Sequence, residues 1–162
     1  MSLFNFLILV WATNVILNIL GVIKKLRPAM QRFDRPIDGG LILPDGSRLL
    51  GESTTWVGLF VTAIVGVIVF WTTNNFYTLA VVFLVYVGHA VGSFIKRRLD
   101  VEDGGFVPMI DHGDHVLVAG TFVVLVDLIS LFDFVLAFVL TVVLTPVVTT
   151  FFHKIGWRER GL

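Results

Sequence analysis

Five long apolar runs, each bounded by charged or turn-forming residues, constrain what this chain of 162 residues can fold into. They cover 3–23, 56–71, 76–95, 116–131 and 135–152. A bilayer offers the backbone no water to bond with, so a lone apolar segment crosses it as a helix. About 20 apolar residues are needed for a crossing, and the first, third and fifth runs reach that length directly. The second extends through Thr54, Thr55, Thr72 and Thr73 at its ends. The fourth extends back to Pro108, because proline suits the first turn of a helix. We therefore expect an all-α integral membrane protein with five transmembrane helices at about 3–23, 54–73, 76–95, 108–131 and 135–152. They form one membrane-embedded domain over 1–162. A composition that is 56% apolar fits this class and not a soluble helical one.

The basic residues fix an expected orientation. Lys24, Lys25, Arg27, Arg32, Arg35 and Arg48 lie between the first two runs, Lys96, Arg97 and Arg98 between the third and fourth, and Lys154, Arg158 and Arg160 after the fifth. The N-terminus and the turns at 72–75 and 132–134 carry none. All twelve Lys and Arg thus fall on one side, which the positive-inside rule makes cytoplasmic. The N-terminus is expected outside, the C-terminus inside, and the first run, long enough to span, is read as a retained helix and not a cleaved leader. Trp56, Trp71 and Trp157 sit at span ends as interfacial anchors, whereas Trp11 lies within a run and is expected against another helix or lipid. Between the apolar runs, the long connections 24–55 and 96–115 are both cytoplasmic, and long connections in compact domains are usually functional. All carboxylates except Asp127 and Asp133 are on that side too.

With no cysteine, disulfides and thiolate metal sites are excluded. A net charge of zero argues against a nucleic-acid partner. No Walker lysine loop, His-Glu-x-x-His pair or CDP-alcohol phosphotransferase signature is present.

The chemistry concentrates in 93–114. Asp111 and Asp114, three residues apart, share a helix face one turn apart. Acidic residues commonly complement a helix N-terminus, but two carboxylates on one face also suit Mg²⁺, which takes one or two of them together with substrate phosphates. His89, Ser93, Lys96 and Arg97 form a stripe on the third helix. The cations alone read as a topology signal; His89, about two turns inside the bilayer, reads as facing the bundle interior. In the first long connection, Asp45-Gly46 reads as a hairpin turn between short extended stretches. Gly51 to Thr55 is a small, hydroxyl-rich helix entry, either a plain cap or an anion site of backbone N–H groups. Asp127 is placed within the fourth helix, on a different face from Asp114. Pro146 is expected to kink the fifth helix, and His115 and His153 are expected to be solvated near the cytoplasmic surface.

Three stretches resemble the CDP-archaeol synthase family, archaeal relatives of CDP-diacylglycerol synthase. Ser93-Phe94-Ile95-Lys96-Arg97-Arg98 looks like that family's Ser-Phe-x-Lys-Arg-Arg element at the end of the third helix. Asp111-His112-Gly113-Asp114 stands in the place of its Asp-Gln-Leu-Asp. The stretch from Asp45-Gly46 through Leu50-Gly51 to Thr54-Thr55-Trp56 and Gly58 looks like its Asp-Gly…Leu-Gly…Lys-Thr-Trp…Gly element. Thr54 stands where lysine is usual, His112 replaces glutamine, and His115 falls where an apolar or aromatic residue is typical.

The resemblance implies transfer of a cytidylyl group from CTP to a lipid phosphate, with release of pyrophosphate. In an archaeon the lipid is 2,3-bis-O-geranylgeranylglyceryl phosphate, an isoprenoid glycerol lipid held in the membrane bilayer. It implies one or two Mg²⁺ ions on Asp111 and Asp114, with Lys96 and Arg97 balancing phosphate charge. Ser93, Arg48, Gly51, Thr54, Thr55 and His89 become substrate-binding residues, in a cell-membrane site facing the cytoplasm. Two other readings are a silent paralogue that binds lipid or a partner, for which Thr54 speaks, and a proton-coupled transporter built on His89 and Asp127.

Overall fold

The computed structural model describes the backbone of residues 1–26, 34–102, 105 and 107–154. Side-chain surroundings are described for all of these except 21–26, 148–149 and 151–154. Arg27, Arg32, Trp157, Arg158 and Arg160, and the side chains of Lys24, Lys25, His153 and Lys154, lie outside the described residues. The expectations placed on them therefore have no structural counterpart.

Among the described residues five helices follow one another: α1 (Leu3–Leu26), α2 (Trp56–Thr73), α3 (Phe76–Arg98), α4 (Pro108–Leu125) and α5 (Leu131–Lys154). Among the described residues there is no β-strand, only two isolated bridges, Pro36 with Thr55 and Ile42 with Arg48. Leu3–Leu20 of α1, and α2 and α3 over their whole lengths, are long and apolar enough to cross a membrane, and α5 carries a shorter apolar stretch, Leu131–Val147. Large apolar side chains point away from the bundle, among them Trp71 and Phe60 at 83% and 68% exposed. Such a surface calls for lipid, not water. The chain is a multi-pass membrane protein.

Helix ends are set by local chemistry. Asn74 closes α2 in the left-handed region (φ 48°), and the Asn75 side chain accepts the Tyr77 N–H at 3.0 Å to open α3. This is the turn expected at 72–75. The fourth helix departs from expectation: it stops at Leu125, not 131, and the fifth begins at 131, not 135. Asp127 is therefore outside α4, in a turn, with φ 55°. Its N–H bonds to Val124 O at 3.0 Å and the Leu128 N–H to Val123 O at 2.9 Å, the pair of bonds that ends a helix on a left-handed residue. Ser130 then starts α5, its hydroxyl oxygen accepting the Asp133 N–H at 3.0 Å and its O–H donating to the Asp133 carboxylate at 2.8 Å. Pro146 lies inside this helix, which runs on as one element to Lys154.

The central helix is α3, packed most extensively on α4, then on α2, and also against α1. Val81 and Val85 of α3 meet Val116, Ala119 and Val123 of α4 in the buried core, with Phe6 and Val10 of α1. The α3–α4 approach depends on Gly88 and Gly92. A Cβ on Gly88 would lie 2.5 Å from His115 Cα and 2.7 Å from Asp114 O, and one on Gly92 would overlap the Asp114 carboxylate. Small residues four apart let membrane helices come this close. Trp11 ties α1 to α5, its indole N–H donating to Thr141 Oγ1 at 2.9 Å. At one end of the bundle the Met1 amino group donates to Leu128 O at 2.9 Å, so the N-terminus and the α4–α5 turn share a side.

Candidate active site

The other end of the bundle carries the charge. Lys96, in the last turn of α3, reaches across to Asp111 in the first turn of α4, Nζ to Oδ1 at 2.7 Å. The second Asp111 oxygen accepts the Val107 N–H at 2.6 Å, capping a helix whose entry residue has no side-chain cap of its own. Both side chains keep some exposure, 14% and 25%.

One turn deeper, Asp114 is buried among imidazoles. Its Oδ1 accepts the His115 backbone N–H at 2.6 Å and lies 2.9 Å from His115 Nδ1, while Oδ2 lies 3.4 Å from His89 Nδ1. Asn14 of α1 approaches the other nitrogen of His115 at 3.3 Å, and Asn18 donates to the Asn14 side-chain oxygen at 2.8 Å. His115 is fully buried, which corrects its expected solvated position: two turns into a helix that starts at Pro108, it faces α1 and α3, not the surface. A ligand atom from each of His89, Asp114 and His115 lies within 4.8 Å of the others, a group able to hold a metal ion. Asp111 is not among them. The helical spacing of Asp111 and Asp114 is as expected, but they turn to different partners.

The first long connection docks on this end. Ser93 accepts the Gly51 N–H on its hydroxyl at 2.8 Å, in a buried contact. Arg98 donates to Arg48 O at 2.8 Å and sits 3.7 Å from Asp45. Tyr86 donates its hydroxyl to Thr55 O at 2.7 Å. Arg97 is buried, with Nη2 donating to Glu102 O at 3.1 Å. Arg48 pairs with Asp38 at 3.3 Å, and Asp38 Oδ2 also accepts the Leu50 N–H at 2.9 Å. Burial pushes the Asp38 carboxyl up, but the Arg48 hydrogen bond, the Gly40 and Leu50 amides and the Arg48 charge outweigh it and hold its pKa below the usual value. The expected turn is present: Gly46 has φ 81°, and Leu43 N–H bonds to Ser47 O at 2.9 Å between the bridged Ile42 and Arg48.

Of the expected site residues, His89, Lys96, Asp111 and Asp114 meet at the α3–α4 end, with Ser93 and Gly51 in contact beside them. Thr54 and Thr55 are buried where α2 begins, and the Thr55 hydroxyl accepts the Gly58 N–H at 3.2 Å as a cap. Arg48 instead lines a cavity of about 690 Å³ with Arg35, Gly39, Gly40, Glu52 and Trp56. Asn14 and His115 are additions. Their sequence signals are a polar residue midway along an otherwise apolar run and a histidine directly after a buried carboxylate. Asp127 is thirteen residues beyond Asp114, roughly 20 Å along the helix axis, and the fully buried apolar side chains of Val116, Ala119 and Val123 occupy α4 between them.

A multi-pass helical bundle with one polar, charge-lined end, its carboxylates and lysine half sunk between two helices, has the form of an intramembrane enzyme. The family model described as CarS-like, CDP-archaeol synthase, matches residues 29–159. The CDP-archaeol synthase of Thermococcus gammatolerans is 32% identical over 145 residues, covering 82% of this chain and 85% of that protein. That of Thermococcus kodakarensis is 29% identical over the same lengths. A solved structure described as an intramembrane enzyme for archaeal membrane lipids biosynthesis aligns with TM-score 0.62 at 28% identity, over 87% of this chain and 90% of that one. The chain belongs to the CDP-archaeol synthase family, and with it to the nucleotidyltransferases of lipid biosynthesis.

Proposed function

We propose that this protein transfers the cytidylyl group of CTP to the phosphate of an isoprenoid glycerol lipid, 2,3-bis-O-geranylgeranylglyceryl phosphate, and releases pyrophosphate. A lipid phosphate oxygen attacks the α-phosphorus in line with the leaving pyrophosphate, so the P–O bond to the lipid forms as the bond to the β-phosphate breaks. No covalent enzyme intermediate is required. Two polyanions must be brought together, so catalysis consists of positioning and charge neutralisation.

The observation that carries this reading is the juxtaposition of Lys96 on Asp111 at 2.7 Å with buried Asp114 one turn below. Lys96 and Arg97 neutralise the transferred and leaving phosphates. Asp111 and Asp114 would offer carboxylate oxygens to a divalent cation such as Mg²⁺, which when bound would supply charge neutralisation to the CTP phosphates. Asp114 also faces the imidazoles of His89 and His115, so its surroundings are not those of an all-oxygen Mg²⁺ site, and the Lys96–Asp111 pair would open as the phosphates arrive. Ser93 holds Gly51, so the loop of Arg48, Gly51, Thr54 and Thr55 is registered against the phosphate end; Thr54 is buried and contributes shape instead of charge. The lipid tails stay in the bilayer with the headgroup at the charged end. We place that end on the cytoplasmic side of the cell membrane, because Lys96, Arg97, Arg98 and Arg48 cluster there and the N-terminus lies opposite.

Product identification tests the reading. Detergent-purified protein given each of the four nucleoside triphosphates and a panel of lipid phosphates should form a CDP-lipid from CTP and the isoprenoid substrate. A product with another nucleotide in preference to CTP would overturn the substrate assignment.

A further inference from the structure

The carboxylate that the proposed reaction relies on is surrounded by nitrogen. We infer that His89, Asp114 and His115 form a mixed imidazole–carboxylate metal site that selects a first-row transition-metal ion such as Zn²⁺, Co²⁺ or Mn²⁺ over Mg²⁺. This rests on the reading that Asp114 holds the ion and changes which ion and which ligands are involved.

One donor pair already has the spacing of a loaded site, and all three ligand atoms lie within 4.8 Å of one another. Two donors each about 2.1 Å from a tetrahedral ion stand roughly 3.4 Å apart. His89 Nδ1 and Asp114 Oδ2 are separated by 3.4 Å. His115 Nδ1 is 2.9 Å from Asp114 Oδ1, and the two imidazole rings lie with centroids 5.2 Å apart, tilted by 32°. All three side chains come from two helices locked together at Gly88 and Gly92, so the donors are preset by packing and not by a mobile loop. His115 is also oriented from behind. Its second nitrogen meets Asn14, which is itself held by Asn18, the outer support that ligating imidazoles ordinarily have.

The donor chemistry decides the ion. Mg²⁺ takes oxygen donors in near-octahedral geometry and keeps much of its water. Imidazole nitrogen suits Zn²⁺ and its first-row neighbours, and Mn²⁺, the weakest binder of that series, is the stringent paramagnetic probe of such a site. Before an ion binds, each imidazole can donate its Nδ1–H to Asp114. Ligation would move that proton to Nε2 or to solvent; an Nε2–H on His115 would require the Asn14 carboxamide to turn over and give up the Asn18 hydrogen bond to its oxygen. Asp111, paired with Lys96, stays outside this set and remains available to the substrate end.

Metal-free protein in detergent, loaded with Mn²⁺ alone and no nucleotide, tests this by pulsed electron paramagnetic resonance. Directly bound ¹⁴N is expected in the wild type, and about 100-fold excess Mg²⁺ should leave that signal in place. In His89→Asp an oxygen replaces Nδ1 at nearly the same position; the ¹⁴N coupling should weaken and Mg²⁺ should displace the ion at least tenfold more readily. His115→Gln, with thermal unfolding measured alongside, separates loss of a ligand from loss of the fold. Mn²⁺ bound without nitrogen, no Mn²⁺ bound, or displacement by an equal concentration of Mg²⁺ would each overturn the inference. Pyrophosphate release is read separately. Turnover with Mg²⁺ and nitrogen-free Mn²⁺ binding leaves the cytidylyl-transfer reading intact while this one fails. Nitrogen-bound Mn²⁺ without turnover on any ion leaves this site standing while that reading fails.

Discussion

At the residue scale the site depends on two contacts between α3 and α4. Gly88 allows the helices to touch, and Lys96–Asp111 joins them at the charged end. Gly88→Ala places a Cβ against the backbone of Asp114 and His115, and overpacking of this kind costs about 1–3 kcal/mol. It should lower the detergent unfolding temperature and turnover together. Lys96→Ala should leave folding nearly unchanged, because a partly exposed ion pair contributes about 0.2–1 kcal/mol. It should cut kcat by about 10²-fold, the usual loss when a charge-stabilising donor is removed. An unchanged kcat would return Lys96 to the role of a topology signal. The sequence made Lys96, Asp111 and Asp114 visible through their spacing. It did not show that Asp114 turns toward His89 and His115, because helical periodicity places side chains on a face without saying which neighbour that face meets.

At the element scale, the connection between α1 and α2 is held onto α3 by a few polar contacts: Asp38 with Arg48, Ser93 with Gly51 and Tyr86 with Thr55. The Asp38 pKa is depressed, so the stability it lends the loop is fully present above the ordinary value of 3.8 and is lost as pH falls through its lowered value. A spin label on Leu41→Cys, an exposed loop position, should therefore become mobile only when the pH falls below about 3.8. With Asp38→Asn added it should be mobile at every pH. The helix ends show which signals hydropathy carries and which it hides. The α2–α3 turn lies at the expected 72–75, where the apolar run breaks. The next turn lies between Leu125 and Leu131, not at the expected 132–134, because the apolar run continues past Asp127. Ser130-x-x-Asp133, a capping pattern, marks the true start of α5, and an aspartate in a left-handed turn marks the end of α4. Apolar continuity across 126–131 masked both. Gly88-x-x-x-Gly92 is likewise a packing signal, and it explains why His89 meets α4.

At the scale of the whole molecule, an absence of cysteine makes the proposed orientation easy to examine. Phe132→Cys and Leu41→Cys introduce single thiols at exposed positions on opposite ends of the bundle. A membrane-impermeant maleimide applied to intact cells should label Phe132→Cys and reach Leu41→Cys only after permeabilisation. The reverse pattern would invert the proposed topology. The five-helix layout was legible in the sequence because a bilayer admits so few backbone solutions. The family was legible because three short elements keep their order. The arrangement within the site was not, since it follows from a close helix crossing and from Asn14 on a helix a hundred residues away.

The most direct measurement is pyrophosphate release by purified wild-type protein and by Asp114→Asn, each given CTP, 2,3-bis-O-geranylgeranylglyceryl phosphate and a divalent ion, with the lipid product identified by mass. Wild type should release one pyrophosphate per CDP-lipid formed, and Asp114→Asn, folded to the same extent, should lose at least about 10²-fold in rate. Full activity in Asp114→Asn, or no CDP-lipid from the wild type, would contradict the account.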